Sequence, residues 1–129
     1  MHIHETVLYS TDLDAAIVFY RDVVGLRPVS EMHGRGLAFR VTEHSVLLVF
    51  DPSKTVLPGA GVPMHGATGA GHVGFSVPVD SLDAWRTHLA GHAVQIEMDV
   101  TWPLGGRSIY VRDPAGNSVE FIAGRVWPD

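Results

Sequence analysis

The chain has 129 residues, the size of one ordinary domain, and 46% of them are hydrophobic, which is enough for one core. It has no cysteine, which excludes disulfides, thiolate metal sites and cysteine nucleophiles. The formal net charge is −5 and Lys54 is the only lysine, so a nucleic-acid partner is not expected. No apolar run approaches a membrane span and no signal-peptide pattern opens the chain, so we expect a cytoplasmic protein without a membrane partner.

The first half of the chain predicts a strand, a helix and three further strands. Asp12 is a candidate helix N-cap, and apolar residues recur at helical spacing from Leu13 to Val24. Gly25 suits the position just after the helix. Turn residues separate the strand-like runs that follow. The expected strands of this half are residues 3–10, 28–32, 37–42 and 46–50.

A stretch rich in glycine and proline, at about residues 51–70, predicts a linker or a mobile loop. The pattern of the first half then restarts. Asp80 or Ser81 is expected to cap a second helix, and Gly91 to end it. Residues 113–117 form a strong turn signal between the last two strands. The expected strands of this half are residues 72–77, 94–98, 108–112 and 119–122.

The order strand-helix-strand-strand-strand therefore occurs twice. We expect a single domain, residues 1–129, with repeat one at about 1–50 and repeat two at about 71–125. This organisation predicts an α+β fold of two βαβββ repeats, each a curved mixed sheet with a helix on one face. Because a one-faced sheet must bury its other face, the repeats are expected to pair around a cleft.

Superposing the repeats by element gives four equivalent positions, and three of them carry metal-ligand residues. Glu5 and His72 open the first strand of their repeats, Glu120 lies in the last strand of repeat two, and its counterpart is about Leu48. Strand alternation places His72 and Glu120 on the face away from the helix. One histidine and two carboxylates suit Mn²⁺, Fe²⁺, Ni²⁺, Co²⁺, Mg²⁺ or Zn²⁺, and three protein ligands leave positions for water or substrate.

Each of these residues has a simpler interpretation. A glutamate in an edge strand is usually solvated, and a histidine after a glycine-rich loop is often a surface residue. His2 and His4 share one strand face and form a rival chelating pair, of the adventitious kind common near an N-terminus.

Four further side chains are candidates for contacts with a substrate. Trp102 and Arg107, beside flexible glycines, would hold an aromatic or anionic substrate, or would belong to a plain hairpin turn. Tyr110 would donate a hydrogen bond to a metal-bound oxygen, or would be a core tyrosine. His65, in the linker, would act as a lid residue or general base, or would be a solvated loop histidine.

Several segments resemble the vicinal oxygen chelate superfamily, which contains glyoxalases, bleomycin-resistance proteins and extradiol dioxygenases. They match the opening of the first half, the start of the second half and the last hairpin of that family, and together they cover nearly the whole chain. These segments are ETVLYSTDL (5–13), FYRDVVGL (19–26), GHVGFSV (71–77) and YVRDPAGNSVEF (110–121).

The resemblance implies a glyoxalase-like fold, a small-molecule substrate and one divalent metal ion per site, held by Glu5, His72 and Glu120. It also implies a homodimer, in which Glu5 of one subunit completes a site with His72 and Glu120 of the partner subunit. Many members have His or Gln where this chain has Glu5. Glyoxalase I usually has a fourth ligand, a Glu, where this chain has Leu48.

Other branches of the family match less well. Extradiol dioxygenases typically use two His and one Glu and are usually longer. Ser108 and Tyr110 match the pattern of fosfomycin-resistance transferases, but the lysine and the late arginine of those enzymes are missing. Bleomycin-binding members hold no metal and sequester a cationic drug, which the negative charge of this chain permits.

Two functions follow as hypotheses. The first is a metal-dependent lyase, isomerase or dioxygenase, with Glu120, Tyr110 and His65 as catalytic residues and Trp102, Arg107 and Ser108 in contact with the substrate. The second is a metal-free protein that sequesters a small molecule. Metal content discriminates between them.

Overall fold

A computed structural model describes all residues from Met1 to Asp129. The chain divides into two compact units, Met1–Gly71 and His72–Asp129, and each contains one four-stranded sheet. The first unit contains β1 (Glu5–Tyr9), α1 (Leu13–Val18, continued by a π-helical turn, Phe19–Val23), β2 (Arg27–Glu31), β3 (Gly36–Thr42), β4 (Ser45–Phe50) and α2 (Pro52–Thr55). The second contains β5 (His72–Val77), α3 (Leu82–Gly91), β6 (Met98–Thr101), β7 (Arg107–Arg112) and β8 (Ser118–Ala123).

The two sheets have the same topology. Their strand orders are β1-β4-β3-β2 and β5-β8-β7-β6. In each sheet the first strand pairs in parallel with the last one, and the remaining neighbours are antiparallel. A parallel pair needs a long crossover, and in each unit the crossover contains the helix. The predicted α+β fold of two βαβββ repeats is therefore confirmed.

The first sheet carries apolar residues on both faces. Leu47 and Val49 of β4 are fully buried and alternate with Leu48 and Phe50. Leu48 and Phe50 form a buried cluster with Ala38, and Tyr9, Met32 and Val46 pack against it. The face of this sheet that carries Glu5 is therefore largely apolar beyond that residue.

The second sheet separates an apolar face from a polar one. On the apolar face, Trp85 of α3 stacks on Phe121 of β8, with ring centroids 4.2 Å apart, and Phe75 of β5 lies beside Phe121. Glu120 precedes Phe121 on the same strand, so its side chain projects from the opposite face. The helix covers one face of the sheet and leaves the other to the polar residues.

The helix boundaries agree with the sequence signals, but Ser81 makes no cap bond to α3 and one short helix, α2, was not predicted. Asp12 caps α1 by accepting a hydrogen bond from the Ala15 amide at 2.9 Å, as predicted. The predicted linker contains the short helix α2, whose cap, Asp51, accepts from the Ser53 amide at 3.0 Å. Ser81 precedes α3, but its hydroxyl donates to the Pro78 carbonyl and makes no cap bond.

The predicted position of the sixth strand was wrong. The sequence indicated residues 94–98, whereas β6 spans Met98–Thr101. The Val94 amide donates to the Leu89 carbonyl at 2.9 Å and so closes the end of α3 instead of joining a ladder. Ala93, with a φ of 55°, turns the chain out of the helix. No helix of the chain has the length and the apolar character needed to cross a membrane.

Candidate functional site

His72 and Glu120 are brought together by the parallel pairing of β5 with β8. Gly74 lies opposite Glu120, and His72 lies two residues earlier on the same face of β5. The His72 Nε2 atom is 3.2 Å from Glu120 Oε2. The Glu120 side chain is only 8% exposed, whereas that of His72 is 51% exposed, so the pair lies at the edge of the buried region.

The second ring nitrogen of His72 defines what Nε2 can bind. Nδ1 lies 3.1 Å from the backbone carbonyl oxygen of Ser118. A carbonyl only accepts hydrogen bonds, so Nδ1 carries the proton. In the neutral ring, Nε2 then presents a lone pair toward a carboxylate oxygen, and two acceptors this close need a proton or a metal ion between them. Metal-binding histidines generally donate their other ring N–H in this way.

Tyr110 fixes the other oxygen of the Glu120 carboxylate. Its hydroxyl donates to Glu120 Oε1 at 2.8 Å, opposite Glu120 in the pairing of β7 with β8. Burial, the hydrogen bond to Glu120 and the charge of that carboxylate raise the pKa of Tyr110 to about 12. Tyr110 therefore keeps its proton at neutral pH and donates a hydrogen bond to Oε1, which leaves Glu120 Oε2 directed toward His72.

A row of polar side chains extends this arrangement to a tryptophan. Trp102 Nε1 donates to the hydroxyl of Ser108 at 2.8 Å. Ser108 is fully buried, and the effect of its hydroxyl on that of Tyr110 lowers the pKa of Tyr110, against the larger effects of burial and Glu120. The order Trp102, Ser108, Tyr110, Glu120 thus connects an indole ring to the carboxylate. Ser108 therefore influences Glu120 by way of Tyr110.

A cavity of about 220 Å³ opens beside these groups. Its polar lining is the polar cluster, which we define as His72, Tyr110 and Glu120. The rest of its lining is aromatic or aliphatic and consists of Trp102, Ile122, Val126 and Trp127.

The sequence prediction missed Val126 and Trp127. They follow β8, outside any periodic segment, so neither strand nor helix spacing marked them. The turn-forming Gly124 before them, with a φ of 82°, was the one available signal.

The first unit contains the other two predicted site residues. Glu5 is exposed at the start of β1. His65 is half-buried, and its Nδ1 is hydrogen-bonded to the hydroxyl of Tyr9 at 2.7 Å. Its ring meets that of Phe50 edge-on, with centroids 5.1 Å apart. This segment of the linker is therefore attached to the strands of its own unit.

Arg107 lies apart from the cavity. It alternates with Ser108 along β7, and its guanidinium lies 3.4 Å from Asp99 Oδ2. Arg86 of α3 binds the same carboxylate. Arg107 thus belongs to an ion-pair group on the surface of the second unit, and it does not line the cavity.

The polar cluster supplies only part of a donor set for a divalent ion. Within the chain, no group of three or more His, Asp or Glu side chains is arranged to hold a metal ion. His72 and Glu120 supply two donor types that such ions prefer. Their donor atoms are 3.2 Å apart, about the separation of two adjacent ligands that each lie roughly 2.1 Å from one ion. This pair therefore fits part of a metal site.

Glu5 has the same place in its sheet as His72. In the first sheet Val7 lies opposite Leu48, and Glu5 precedes Val7 by two residues. In the second sheet the residue opposite Glu120 follows His72 by two. The pairing registers of the two sheets therefore agree with the superposition of the repeats. Leu48 in the first sheet is equivalent to Glu120 in the second.

Comparison with known proteins identifies the family. The family model described as Glyoxalase/Bleomycin resistance protein/Dioxygenase superfamily matches residues 2–121. Over 128 residues the chain is 30% identical to the uncharacterized protein PA2024 of Pseudomonas aeruginosa, with 92% of this chain and 85% of that protein covered.

Solved structures agree with this match. A lactoylglutathione lyase from Agrobacterium tumefaciens is 41% identical, with a TM-score of 0.91 and coverage of 99% of this chain and 97% of that one. A glyoxalase/dioxygenase from Nostoc punctiforme, 21% identical, shares the fold with a TM-score of 0.72 over 96% of this chain and 91% of its own. Since the family model spans nearly all of the sequence, the chain belongs to the Glyoxalase/Bleomycin resistance protein/Dioxygenase superfamily.

Proposed function

We propose that the protein is a divalent-metal-dependent enzyme with lyase or isomerase chemistry on a small substrate that carries neighbouring oxygen atoms. The observation that supports it most is the contact of His72 Nε2 with Glu120 Oε2 at 3.2 Å, with the other nitrogen of His72 on a backbone carbonyl. The 41% identity to a lactoylglutathione lyase favours this chemistry over ring-cleaving dioxygenation.

The proposed metal ligands are Glu5, His72 and Glu120. The place of a fourth ligand falls at Leu48, which is 9% exposed within an apolar cluster and offers no donor atom. We therefore propose three protein ligands, with the remaining positions open to substrate and water. Following the family resemblance, we propose a homodimer in which Glu5 meets His72 and Glu120 of the partner subunit.

A divalent ion held by these residues would act as a Lewis acid and stabilise negative charge on the oxygens of the substrate. The residues of the chain set the conditions for that chemistry. Tyr110, protonated because of its raised pKa, holds Glu120 Oε1 and so keeps Oε2 available for binding. The apolar walls of the cavity lie beside the polar cluster, so a bound substrate would displace water there and strengthen the electrostatic interactions of the cluster.

Proton transfer and substrate contact are assigned to the remaining candidates. Glu120 and His65 carry a carboxyl group and an imidazole ring, which are side chains that act as general bases in enzymes, and we propose them as the base candidates. Trp102 lines the cavity and is the candidate for direct contact with the substrate. Arg107 is engaged with Asp99, so we propose for it a contact with substrate only outside the cavity.

Elemental analysis tests this proposal. We expect about one divalent ion per chain in untagged native protein, and none in Glu120→Ala. Glu97→Ala is the matched control, because Glu97 is a carboxylate of the same unit that pairs with Arg112 at 2.8 Å. Its metal content should equal that of the native protein. Native protein that stays metal-free after exposure to each of the candidate ions would instead support the sequestering function.

A further inference from the structure

The segment after β8, residues 124–129, lies directly on the turn between β6 and β7. The Gly106 amide donates to the carbonyl oxygen of Arg125 at 2.9 Å. A Cβ added to Gly106 would come within 2.5 Å of that oxygen and 2.8 Å of a methyl carbon of Val126. Gly124, with a φ of 82°, turns the chain toward this contact. The two backbones therefore meet without an intervening side chain, which holds the segment in place.

This anchoring places an indole ring at the cavity. Trp127 lines the cavity, although 78% of the residue is exposed. Its carbonyl oxygen accepts a hydrogen bond from Arg125 Nε at 3.3 Å, which restrains the backbone at this residue. An exposed tryptophan on a restrained backbone offers a large apolar surface to a ligand at little conformational cost.

Trp102 supplies a second indole ring. Its polar atom is already bonded to Ser108, so the ring offers only apolar surface to the cavity. Ile122 and Val126, both half-buried, complete the apolar lining. None of these four side chains carries a charge, and the polar lining is confined to groups that contact one another.

We propose that Trp127 and Trp102 select ligands that carry one planar aromatic ring. This inference rests on the proposed function, in which the metal site binds the oxygen atoms of the ligand. It adds that the rest of the ligand is an aromatic ring. Indole surfaces stack favourably on flat rings. The cavity, at about 220 Å³, is smaller than the pockets of about 300–1,000 Å³ that hold drug-sized ligands, so it fits a single ring.

The test compares benzyl alcohol with cyclohexylmethanol, which has the same carbon count but a saturated, non-planar ring. Their dissociation constants are measured by ligand-observed NMR for the native protein, Trp127→Ala, Trp127→Phe and Val79→Ala. Val79 is 76% exposed and does not line the cavity, so its variant is the matched control. Zn²⁺ binding by each protein is measured separately by calorimetry.

We expect benzyl alcohol to bind the native protein more tightly than cyclohexylmethanol does. Trp127→Ala should weaken the binding of benzyl alcohol by about tenfold, and Trp127→Phe should restore most of the lost affinity. Val79→Ala should change nothing, and Zn²⁺ binding should be equal in all four proteins. Equal affinity for both alcohols, or unchanged binding in Trp127→Ala, would overturn the proposal. A changed oligomeric state of Trp127→Ala would also overturn it, because the indole would then belong to a subunit contact.

The alcohols carry no neighbouring oxygens, so their binding does not depend on the metal. Native protein that binds benzyl alcohol but no Zn²⁺ would contradict the proposed function and leave the ring selectivity standing. Native protein that binds Zn²⁺ but neither alcohol would contradict the ring selectivity alone.

Discussion

Leu48 occupies in the first sheet the ladder position that Glu120 occupies in the second. Each lies opposite the third residue of the parallel strand beside it, Val7 for Leu48 and Gly74 for Glu120. Leu48 is buried among apolar residues, whereas Glu120 is buried with Tyr110 as its hydrogen-bond donor. Two equivalent backbone positions thus carry opposite chemistry, and only the second can supply a metal ligand.

Substitution of these two positions should therefore separate stability from metal binding. Leu48→Ala is expected to cost about 2–5 kcal/mol of unfolding free energy, because a buried side chain leaves a cavity. It should keep the full metal content. Glu120→Ala should lose the metal. Urea unfolding and elemental analysis of both variants check this, with Leu48→Met as a milder change. Loss of metal from a folded Leu48 variant would contradict the three-ligand assignment.

Mixing two variants that are each expected to lack metal tests whether the site is shared between subunits. If Glu5 completes the site of the partner subunit, a heterodimer of Glu5→Ala and Glu120→Ala subunits contains one intact ligand set and one site that lacks two ligands. An equal mixture that exchanges subunits at random should then regain about a quarter of the native sites. The measurement is metal content after mixing, with each variant alone as its control. No recovery, despite subunit exchange shown with labelled chains, would place all three ligands in one chain.

Gly74 leaves room for the Glu120 carboxylate. A Cβ at this position would lie 3.3 Å from Glu120 Oε2 and 2.8 Å from Cδ1 of Ile122. The end of the Ile122 side chain can turn away, so Gly74→Ala should fold. The displaced carboxylate should bind Zn²⁺ roughly tenfold more weakly, as expected for a disturbed neighbour of a metal ligand. Isothermal titration calorimetry and thermal unfolding measure the two effects.

Gly91→Ala is the control for this substitution. A Cβ at Gly91, the last residue of α3, has no neighbour within 4 Å. Its metal affinity should equal that of the native protein, and its stability should be unchanged or slightly higher, because alanine restricts the unfolded chain. Equal Zn²⁺ affinity in both variants would show that Gly74 does not position the Glu120 carboxylate for metal binding.

The repeat architecture and the polar face of the second sheet could be predicted from the sequence because both depend on local alternation. Apolar residues alternate with polar or small ones in both strands, so strand parity places His72 and Glu120 on the face opposite the apolar residues. The role of Ser108 could not be predicted in this way. Its hydroxyl accepts the Trp102 indole N–H and affects the pKa of Tyr110, and no periodic pattern specifies such contacts.

Trp127 illustrates a second limit. Its place beside the cavity depends on the close approach of Gly106 to Arg125, a contact between residues far apart in sequence. The shift of β6 has a related cause, because the Val94 amide finds its partner in the preceding helix. The spacing of apolar residues predicts the face of a strand or helix on which a side chain lies. It does not predict where a segment without regular structure packs.

Ser108→Ala should weaken the metal site from a distance. The substitution removes the acceptor of the Trp102 indole N–H and the hydroxyl beside Tyr110. Leaving one polar group unpaired costs about 1–3 kcal/mol of unfolding free energy, and Zn²⁺ affinity should fall as Tyr110 holds Glu120 less firmly. Ser118→Ala is the matched control, since only its backbone carbonyl contacts His72. Calorimetry should show reduced Zn²⁺ affinity for the first variant alone.

The raised pKa of Tyr110 predicts a stability change in alkaline solution, measured on chelator-treated protein. Below pH 10.0, the ordinary pKa of tyrosine, the group is protonated in both the folded and the unfolded chain, so its contribution to stability is complete. As the pH rises toward about 12, the pKa in the folded protein, the unfolded chain loses its proton first and the contribution disappears. The native protein should therefore lose more unfolding free energy than Tyr110→Phe across this interval. A spectrophotometric titration of both proteins should assign the difference to one tyrosine that ionises near pH 12. A difference centred on the ordinary value would show that the hydroxyl is not held by Glu120 in solution.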